Sequence, residues 1–153
     1  MRLVLFEPDI PQNAGTLMRL CAALGVPLDV IEPCGFLFDD RKLRRAGMDY
    51  LTHLDLTRHI SWNAYRATPA AGRLVLLTTR AALPYTAFAF RPDDRIMVGR
   101  ESEGVPDAVH DAADARLLIP LKPPARSLNV ALAAAMVLGE AMRQTAAPSG
   151  APR

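Results

Sequence analysis

The sequence has no apolar run long enough to cross a membrane. A membrane helix needs about 20 consecutive apolar residues, whereas the longest run here is the ten from Val130 to Gly139. The N-terminal stretch MRLVLFEPD is too short for the core of a signal peptide and reaches an acidic residue at Glu7. We therefore expect a cytoplasmic protein that makes no membrane contact.

Metal ligands and common catalytic motifs are also scarce. The two cysteines, Cys21 and Cys34, lack metal-type spacing, and outside a secretory context we expect reduced thiols. The histidines are isolated at positions 53, 59 and 110, so a metal site is not expected. The chain has no G-x-G-x-x-G, Walker A, H-E-x-x-H or G-x-S-x-G sequence. These absences exclude several large enzyme classes.

The net charge of +2 says little about partners, but its distribution is uneven. The stretch RKLRR at 41–45, with Arg58 and His59 further along, forms a basic cluster. Such a cluster is typical either of a solvated helix face or of a phosphate-binding surface, and the sequence leaves both readings open.

Apolar runs alternate with helical patterns along a chain whose length fits one domain. Strands are predicted at 2–7, 28–32, 73–79, 95–99 and 116–120, with a further candidate at 50–56. Helices are predicted at about 14–24, 39–46, 61–67, 106–112 and 127–144. This alternation predicts an α/β domain over residues 1–145, with a mainly parallel sheet flanked by helices. Residues 146–153 are small, polar and rich in Pro and Gly, which predicts a disordered tail.

The first predicted helix has a core stripe formed by Leu17, Leu20, Cys21 and Leu24, at positions i, i+3, i+4 and i+7. Arg19 falls on the opposite side of that helix. Cys21 is accordingly expected to be a core thiol without a catalytic role.

The last predicted helix has no polar face between Val130 and Gly139. Such a helix must be covered on both sides, either at the centre of a monomer or between the sheet and another subunit. We favour a homodimer.

Three polar segments flank the predicted strands and helices where open α/β sheets bind ligands, at residues 7–21, 98–106 and 126–129. Each also has an ordinary structural reading. These readings are helix caps at Asn13, Thr16, Ser127 and Asn129, a tight turn at Gly15, and unusual backbone angles at Gly99 and Gly104 before a helix opened by Pro106.

Taken together and in this order, the segments resemble the SPOUT class of RNA methyltransferases, specifically the TrmL family of tRNA 2′-O-methyltransferases that act on the wobble nucleotide. The resemblance covers residues 2–143 and rests on the stretches LFEPDIPQNAGTLMRLCA, IEPCGFLFDDRKLRRAGMDY, LLTTR, GRESEGVP and IPLKPPARSLNVA. It implies a single-domain SPOUT fold with a deep C-terminal trefoil knot, which ordinary connection rules would not predict. It also implies a homodimer whose last helix contributes to the interface.

The resemblance further implies that the knot loops bind S-adenosylmethionine without a metal, with the anticodon loop of tRNA as substrate. The cofactor contacts then fall on Leu77, Gly99, Ile119 and Ser127. In this reading Ser127 both caps the last helix and touches the cofactor.

Arg19 matches the motif arginine of the family, which has been proposed as the base. A guanidinium stays protonated at neutral pH, so we favour phosphate binding or alkoxide stabilisation. Asn13, Glu101 and Asn129 are its expected polar partners in catalysis. The chain departs from the usual pattern at Ala14, at Arg100 and at 130–132.

Two other functions remain open at this stage. One is a SPOUT 2′-O-methyltransferase acting on another RNA site. The other is a non-catalytic RNA-binding protein that has the same fold.

Overall fold

The computed structural model describes residues 1–38 and 49–146, and over these ranges it has one parallel sheet flanked by helices. The strand order is β3-β2-β1-β6-β4-β7-β5, and every neighbouring pair is parallel. The strands are β1 (Arg2–Phe6), β2 (Leu28–Ile31), β3 (Leu56–His59), β4 (Leu74–Leu77), β5 (Leu83–Pro84), β6 (Arg95–Val98) and β7 (Ala115–Leu118). The helices are α1 (Pro11–Leu24), α2 (Trp62–Ala67), α3 (Asp107–Ala112) and α4 (Val130–Thr145). The predicted α/β class with a mainly parallel sheet is confirmed.

Each face of the sheet buries its own apolar cluster. Alternate residues such as Leu3, Leu5 and Ile96 pack with α1 and α4 on one face. Their neighbours, including Val4 and Met97, pack with α2 and α3 on the other. Because both faces are covered, the strands are nearly continuous apolar runs, which is why they were recognisable in the sequence.

The candidate strand at 50–56 was wrong. Asp49–His53 forms a 3₁₀ helix, and the strand of this region is Leu56–His59. In the described part of the chain this strand pairs only with β2. Thr57 and Arg58 are exposed in it, so it lacks the apolar run by which the inner strands were recognised.

All four described helices start at a residue other than the predicted one, and α2 differs by one residue, beginning at Trp62. Helix α1 begins at Pro11, where a proline suits the first helical position, so Gly15 lies inside the helix rather than in a turn. Helix α3 begins at Asp107, with Pro106 at the N-cap position. Helix α4 begins at Val130, three residues after the predicted start at 127.

The predicted faces of α1 are largely confirmed. Leu17 and Cys21 are buried, and burial raises the pKa of the Cys21 thiol to about 12, which makes it an inert core residue at neutral pH. Arg19 is exposed, as expected. The stripe ends early, because Leu24 is 40% exposed and Leu20 is only half-buried.

Among the described residues, helix α4 packs on the sheet and on α1 along one side. Ala134, Val137 and Leu138 are fully buried in the core. On the other side Leu132 is 62% exposed and Met136 is 44% exposed. The side of α4 that was predicted to pack against another subunit is therefore exposed to solvent in the single chain.

Several predictions lie outside the described residues. They are the helix at 39–46, the basic run at 41–45 and nearly all of the tail at 146–153. Among the helices that the structure describes, none combines the length and the apolar character of a membrane span.

Candidate active site

A cavity of about 700 Å³ opens at the carboxyl ends of β4, β6 and β7. This is the edge at which open parallel sheets bind ligands, because the loops that follow neighbouring strands converge there. The wall is formed by the ends of these strands, the loop 99–105, the segment 119–129 and the first turn of α4.

The four predicted cofactor residues all line this cavity. Leu77 ends β4, while Gly99 directly follows β6 and Ile119 directly follows β7. Ser127 is exposed on the segment that leads into α4. These four residues span 51 positions of the sequence. They meet at the cavity because three of them lie at the ends of neighbouring strands and the fourth lies on the segment that leads into α4.

Gly99 allows the loop after β6 to close on itself. Arg100 and Gly104 exchange two backbone hydrogen bonds of 2.9 Å, which bring Gly104 over Gly99. A Cβ on Gly99 would lie 2.6 Å from the Gly104 carbonyl carbon, so no larger residue fits without moving the backbone. Gly104 has φ +69°, whereas Gly99 has no positive φ, so the expected unusual angle occurs at only one of the two glycines.

Of the two caps expected for α4, Ser127 and Asn129, only Asn129 is confirmed. The Asn129 side chain caps α4 by accepting from the N–H groups of Ala131 at 2.9 Å and Leu132 at 3.3 Å. Ser127 lies outside the helix, so its predicted capping role was wrong because α4 starts later than the sequence pattern indicated.

The capping roles expected at the start of α1 were also wrong. The N-cap is Ile10, which makes no side-chain cap. Thr16 lies within the helix and donates its hydroxyl to the Gln12 carbonyl at 2.9 Å. Asn13 lies in the first turn and is buried, and its side chain points to other loops instead. A buried amide in a first turn requires partners elsewhere.

The partners of Asn13 are the other two predicted polar residues. The Asn13 amide donates to Glu101 Oε1 at 3.3 Å, and the Asn129 amide donates to Asn13 Oδ1 at 2.9 Å. One continuous chain of hydrogen bonds therefore joins α1, the loop after β6 and the start of α4. All three side chains border the cavity.

Asp9 belongs to the same hydrogen-bond network but lies outside the cavity lining. Its N–H donates to Glu101 Oε2 and the Glu101 N–H donates to Asp9 Oδ1, each at 3.0 Å, while the Ser102 hydroxyl donates to Asp9 Oδ2. Hydrogen bonding with Glu101 lowers the pKa of Asp9 to about 2. Burial, followed by the Asp9 side chain, raises the pKa of Glu101 above its ordinary value. Of these two neighbouring carboxyl groups, one thus has a lowered pKa and the other a raised pKa.

Arg19 lies apart from this group, exposed on α1 and outside the cavity lining. The structure therefore brings together seven of the eight predicted site residues within one chain, and Arg19 is the exception.

Sequence reasoning missed three residues, Arg80, Arg126 and Asp9. Arg80 and Arg126 line the cavity, and Asp9 supports Glu101. A carboxylate three residues after a strand was a usable signal for Asp9.

No group of three or more metal-ligating side chains occurs among residues 1–38 and 49–146. Cys34 is half-buried, and burial raises the pKa of its thiol to about 11, so it carries no thiolate at neutral pH.

Comparison with known proteins identifies the family. The SpoU rRNA Methylase family model matches residues 1–139. A curated relative from Beijerinckia indica, named tRNA (cytidine(34)-2′-O)-methyltransferase, is 63% identical over 147 residues, which cover 95% of this chain and 92% of the relative. A solved structure concerned with the 2-OH methylation of C/U34 on tRNA is 43% identical with a TM-score of 0.85, covering 94% of this chain and 89% of the other.

A third match bears on the cofactor. The SpoU methyltransferase AviRb from Streptomyces viridochromogenes, solved in complex with AdoMet, is 28% identical with a TM-score of 0.79. The match covers 94% of this chain and 60% of the other. The resemblance drawn from the sequence is confirmed, and the chain belongs to the SpoU rRNA Methylase family.

Proposed function

We propose that the chain transfers a methyl group from S-adenosylmethionine to the ribose 2′-hydroxyl of the wobble cytidine or uridine, residue 34, in tRNA. One observation carries the proposal. The cavity of about 700 Å³ combines the four candidate cofactor residues with the hydrogen-bonded group Asn13, Glu101 and Asn129. The names of the similar proteins support the choice of tRNA over another RNA.

The cavity suits S-adenosylmethionine in size and chemistry. Ligand pockets of roughly 300 to 1,000 Å³ hold molecules of this size. Leu77 and Ile119 offer apolar walls for an adenine ring, Gly99 keeps the loop backbone close to the cavity, and Ser127 adds a hydroxyl. When bound, the cofactor supplies a methyl group on a positively charged sulfur.

We assign proton removal to Glu101. In the reaction a bond forms between the ribose 2′-oxygen and the methyl carbon, the carbon–sulfur bond breaks, and the hydroxyl proton must leave. The Glu101 carboxylate lies at the cavity wall, and its raised pKa makes it a stronger proton acceptor than an ordinary glutamate. Asn13 holds one oxygen of this carboxylate, and Asn129 holds Asn13.

We assign Arg19 to a phosphate of the tRNA beside the target nucleotide. The guanidinium remains protonated at neutral pH and presents a fork of donors that suits a phosphate. Its exposure on α1, outside the cavity, supports a contact with the RNA rather than with the cofactor.

We further propose a homodimer formed through the open face of α4. Leu132 and Met136 are exposed one turn apart, and exposed apolar groups of this kind mark interaction surfaces. Leu132→Lys should give a monomer mass in sedimentation at micromolar concentration, whereas the wild type should sediment as a dimer. Charges at Ala134 or Leu138 are unsuitable tests, because both side chains are fully buried in the core of one chain.

The remaining elements of the proposal concern topology and location. Strand β7 inserts between β4 and β5, and the segment that follows it returns to α1, where Asn129 meets Asn13. This path supports a C-terminal trefoil knot. A tRNA substrate supports a cytoplasmic location.

Single-turnover methylation with labelled S-adenosylmethionine and tRNA tests the proposal. Arg19→Ala should keep near-normal cofactor affinity by calorimetry while transfer falls about a hundredfold, the scale seen when one charge-stabilising group is lost. Unchanged transfer would reject the role of Arg19, and a parallel loss of cofactor binding would mean that Arg19 lies at the cofactor. No transfer to any RNA by the wild type would favour a non-catalytic RNA-binding protein.

A further inference from the structure

Asp9 makes an unusual set of contacts for a residue on a short loop. Its backbone N–H and its carboxylate both bond to Glu101, 92 positions away, in a reciprocal pair of 3.0 Å hydrogen bonds. Its second oxygen accepts from the Ser102 hydroxyl. The loop after β1 is thereby fastened to the loop after β6 at the residue that carries the Glu101 carboxylate.

A second loop holds Asp9 from the other side. The Gly35 N–H donates to the Pro8 carbonyl at 2.9 Å. A Cβ on Gly35 would lie 2.7 Å from Asp9 Cβ, so the loop after β2 packs directly on Asp9. The left-handed φ of +42° at Glu7, costly for a residue with a side chain, turns the chain into this position.

The arrangement brings two carboxyl groups together, which is unfavourable by itself. Paired carboxylates raise the pKa of one member and keep its proton affinity high. Both side chains are half-buried, but Glu101 lines the cavity, while Asp9 lies outside the cavity lining. Asp9 thus has no direct access to a ligand in the cavity, and it influences the site through Glu101.

We propose that Asp9 is the positioning residue of the methyl-transfer site. Its backbone N–H holds one oxygen of the Glu101 carboxylate, and its own carboxylate accepts from the Glu101 backbone N–H, so the Asp9 side chain fixes the backbone from which the Glu101 carboxylate reaches Asn13. The inference rests on the role of Glu101 in the proposed function and adds the residue that sets its position. Misplacement of a reacting group by about 1 Å costs on the order of a hundredfold in rate, so loss of Asp9 should reduce transfer without removing the cofactor site.

A double-mutant cycle on the full-length protein tests this proposal. Asp9→Ala, Glu101→Gln and the double variant are compared with wild type for the single-turnover rate and for S-adenosylmethionine affinity. Asp9→Ala should lower the rate about 10- to 100-fold, yet cost less than about threefold in the Glu101→Gln background, because the two residues act as a unit. Cofactor affinity should change less than about threefold in every variant.

Two further variants separate positioning from general destabilisation. Asp9→Asn keeps a side-chain oxygen for the Glu101 N–H, so its rate should lie between those of wild type and Asp9→Ala even if Asp9→Ala folds poorly. Asp111→Ala removes a carboxylate that is 80% exposed on α3, and it should transfer at the wild-type rate.

The outcomes distinguish this proposal from the one on which it rests. Suppose that Glu101→Gln slows transfer as expected. If Asp9→Ala then lowers the rate by the same factor in the wild-type and Glu101→Gln backgrounds, or does not lower it at all, only the role of Asp9 is overturned. A wild-type rate for Glu101→Gln would remove Glu101 from the reaction, and the role of Asp9 would fall with it. Equal rates for Asp9→Asn and Asp9→Ala would also contradict positioning through the retained oxygen.

Discussion

Two carboxylate sites on opposite edges of the sheet differ in the kind of partner that holds the carboxylate. At the amino edge, where β4 and β6 begin, the fully buried Asp94 accepts from Arg73 Nε and Nη2 and from the Arg91 N–H, all at 2.8 Å. Near the start of β1, Asp29 accepts from Arg2 Nε at 2.8 Å. Each of these two carboxylates is hydrogen-bonded to a guanidinium, a charge-assisted pair of the stronger kind.

At the Asp9–Glu101 site on the carboxyl edge, by contrast, two carboxyl groups lie side by side. Asp9 and Glu101 are held by backbone N–H groups, a hydroxyl and a carboxamide rather than by a facing guanidinium. Such pairs cost stability and shift proton affinity, and they cluster at functional sites for that reason. We infer that the Asp94 site stabilises the fold, whereas the Asp9–Glu101 site serves the chemistry.

The largest effect is expected at the amino edge. Asp94→Ala removes three hydrogen bonds and leaves the Arg73 guanidinium without its buried partner, so we expect a loss of about 3 kcal/mol in the free energy of unfolding. Urea denaturation measures it. A loss below about 1 kcal/mol, typical of a surface ion pair, would show that this edge does not stabilise the fold as described.

A substitution at Glu101 should lower activity rather than stability. Glu101→Gln should lower single-turnover methyl transfer about a hundredfold, equivalent to about 2.7 kcal/mol in activation free energy, while urea stability stays within about 1 kcal/mol of wild type. The stability is spared because the substitution removes one of two neighbouring carboxylates. A large loss of stability together with normal transfer would reverse the comparison.

A smaller effect is expected for cofactor affinity. Ser127→Ala should weaken S-adenosylmethionine binding by about 0.5 to 1.5 kcal/mol, the net value of one hydrogen bond. Since Ser127 does not cap α4, the substitution should leave the melting temperature unchanged. Calorimetry and thermal melting of the same sample check both parts, and a lower melting temperature with unchanged affinity would contradict the assignment.

The smallest effect concerns acid stability. The pKa of Asp9 falls from its ordinary 3.8 to about 2 in the folded chain, so the folded state binds this proton more weakly than the unfolded state. Its contribution is therefore complete above about pH 4 and is lost as pH falls toward 2. Because Asp9 is only half-buried and solvent screens its charge, we expect at most about 1 kcal/mol. Asp9→Asn should remove this part of the pH dependence in urea titrations at pH 5 and pH 3, and an unchanged dependence would contradict it.

The sequence predicted the inner sheet well because its strands are buried on both faces. It failed at Leu56–His59, an exposed strand with polar residues, and it did not predict the short strand Leu83–Pro84, in which the proline argues against a strand. The start of α1 was also misplaced, although Pro11 is a recognised signal for the first helical position.

For the site, the sequence supplied the residues through a family resemblance but not their contacts. Asn13 was read as a helix cap, because its partners Glu101 and Asn129 are 88 and 116 positions away. Asp9 stood within a quoted motif without a role for the same reason. Contacts between loops at such separations depend on the order of strands in the sheet, which local patterns do not specify.

Methyl incorporation into a matched pair of tRNAs tests the proposed reaction most sharply. The two molecules differ only at nucleotide 34, which carries a ribose 2′-hydroxyl in one and a 2′-deoxyribose in the other. We predict incorporation from labelled S-adenosylmethionine into the first tRNA alone, and a loss of about a hundredfold with the Glu101→Gln protein. Equal incorporation into both tRNAs, or incorporation that does not depend on Glu101, would contradict it.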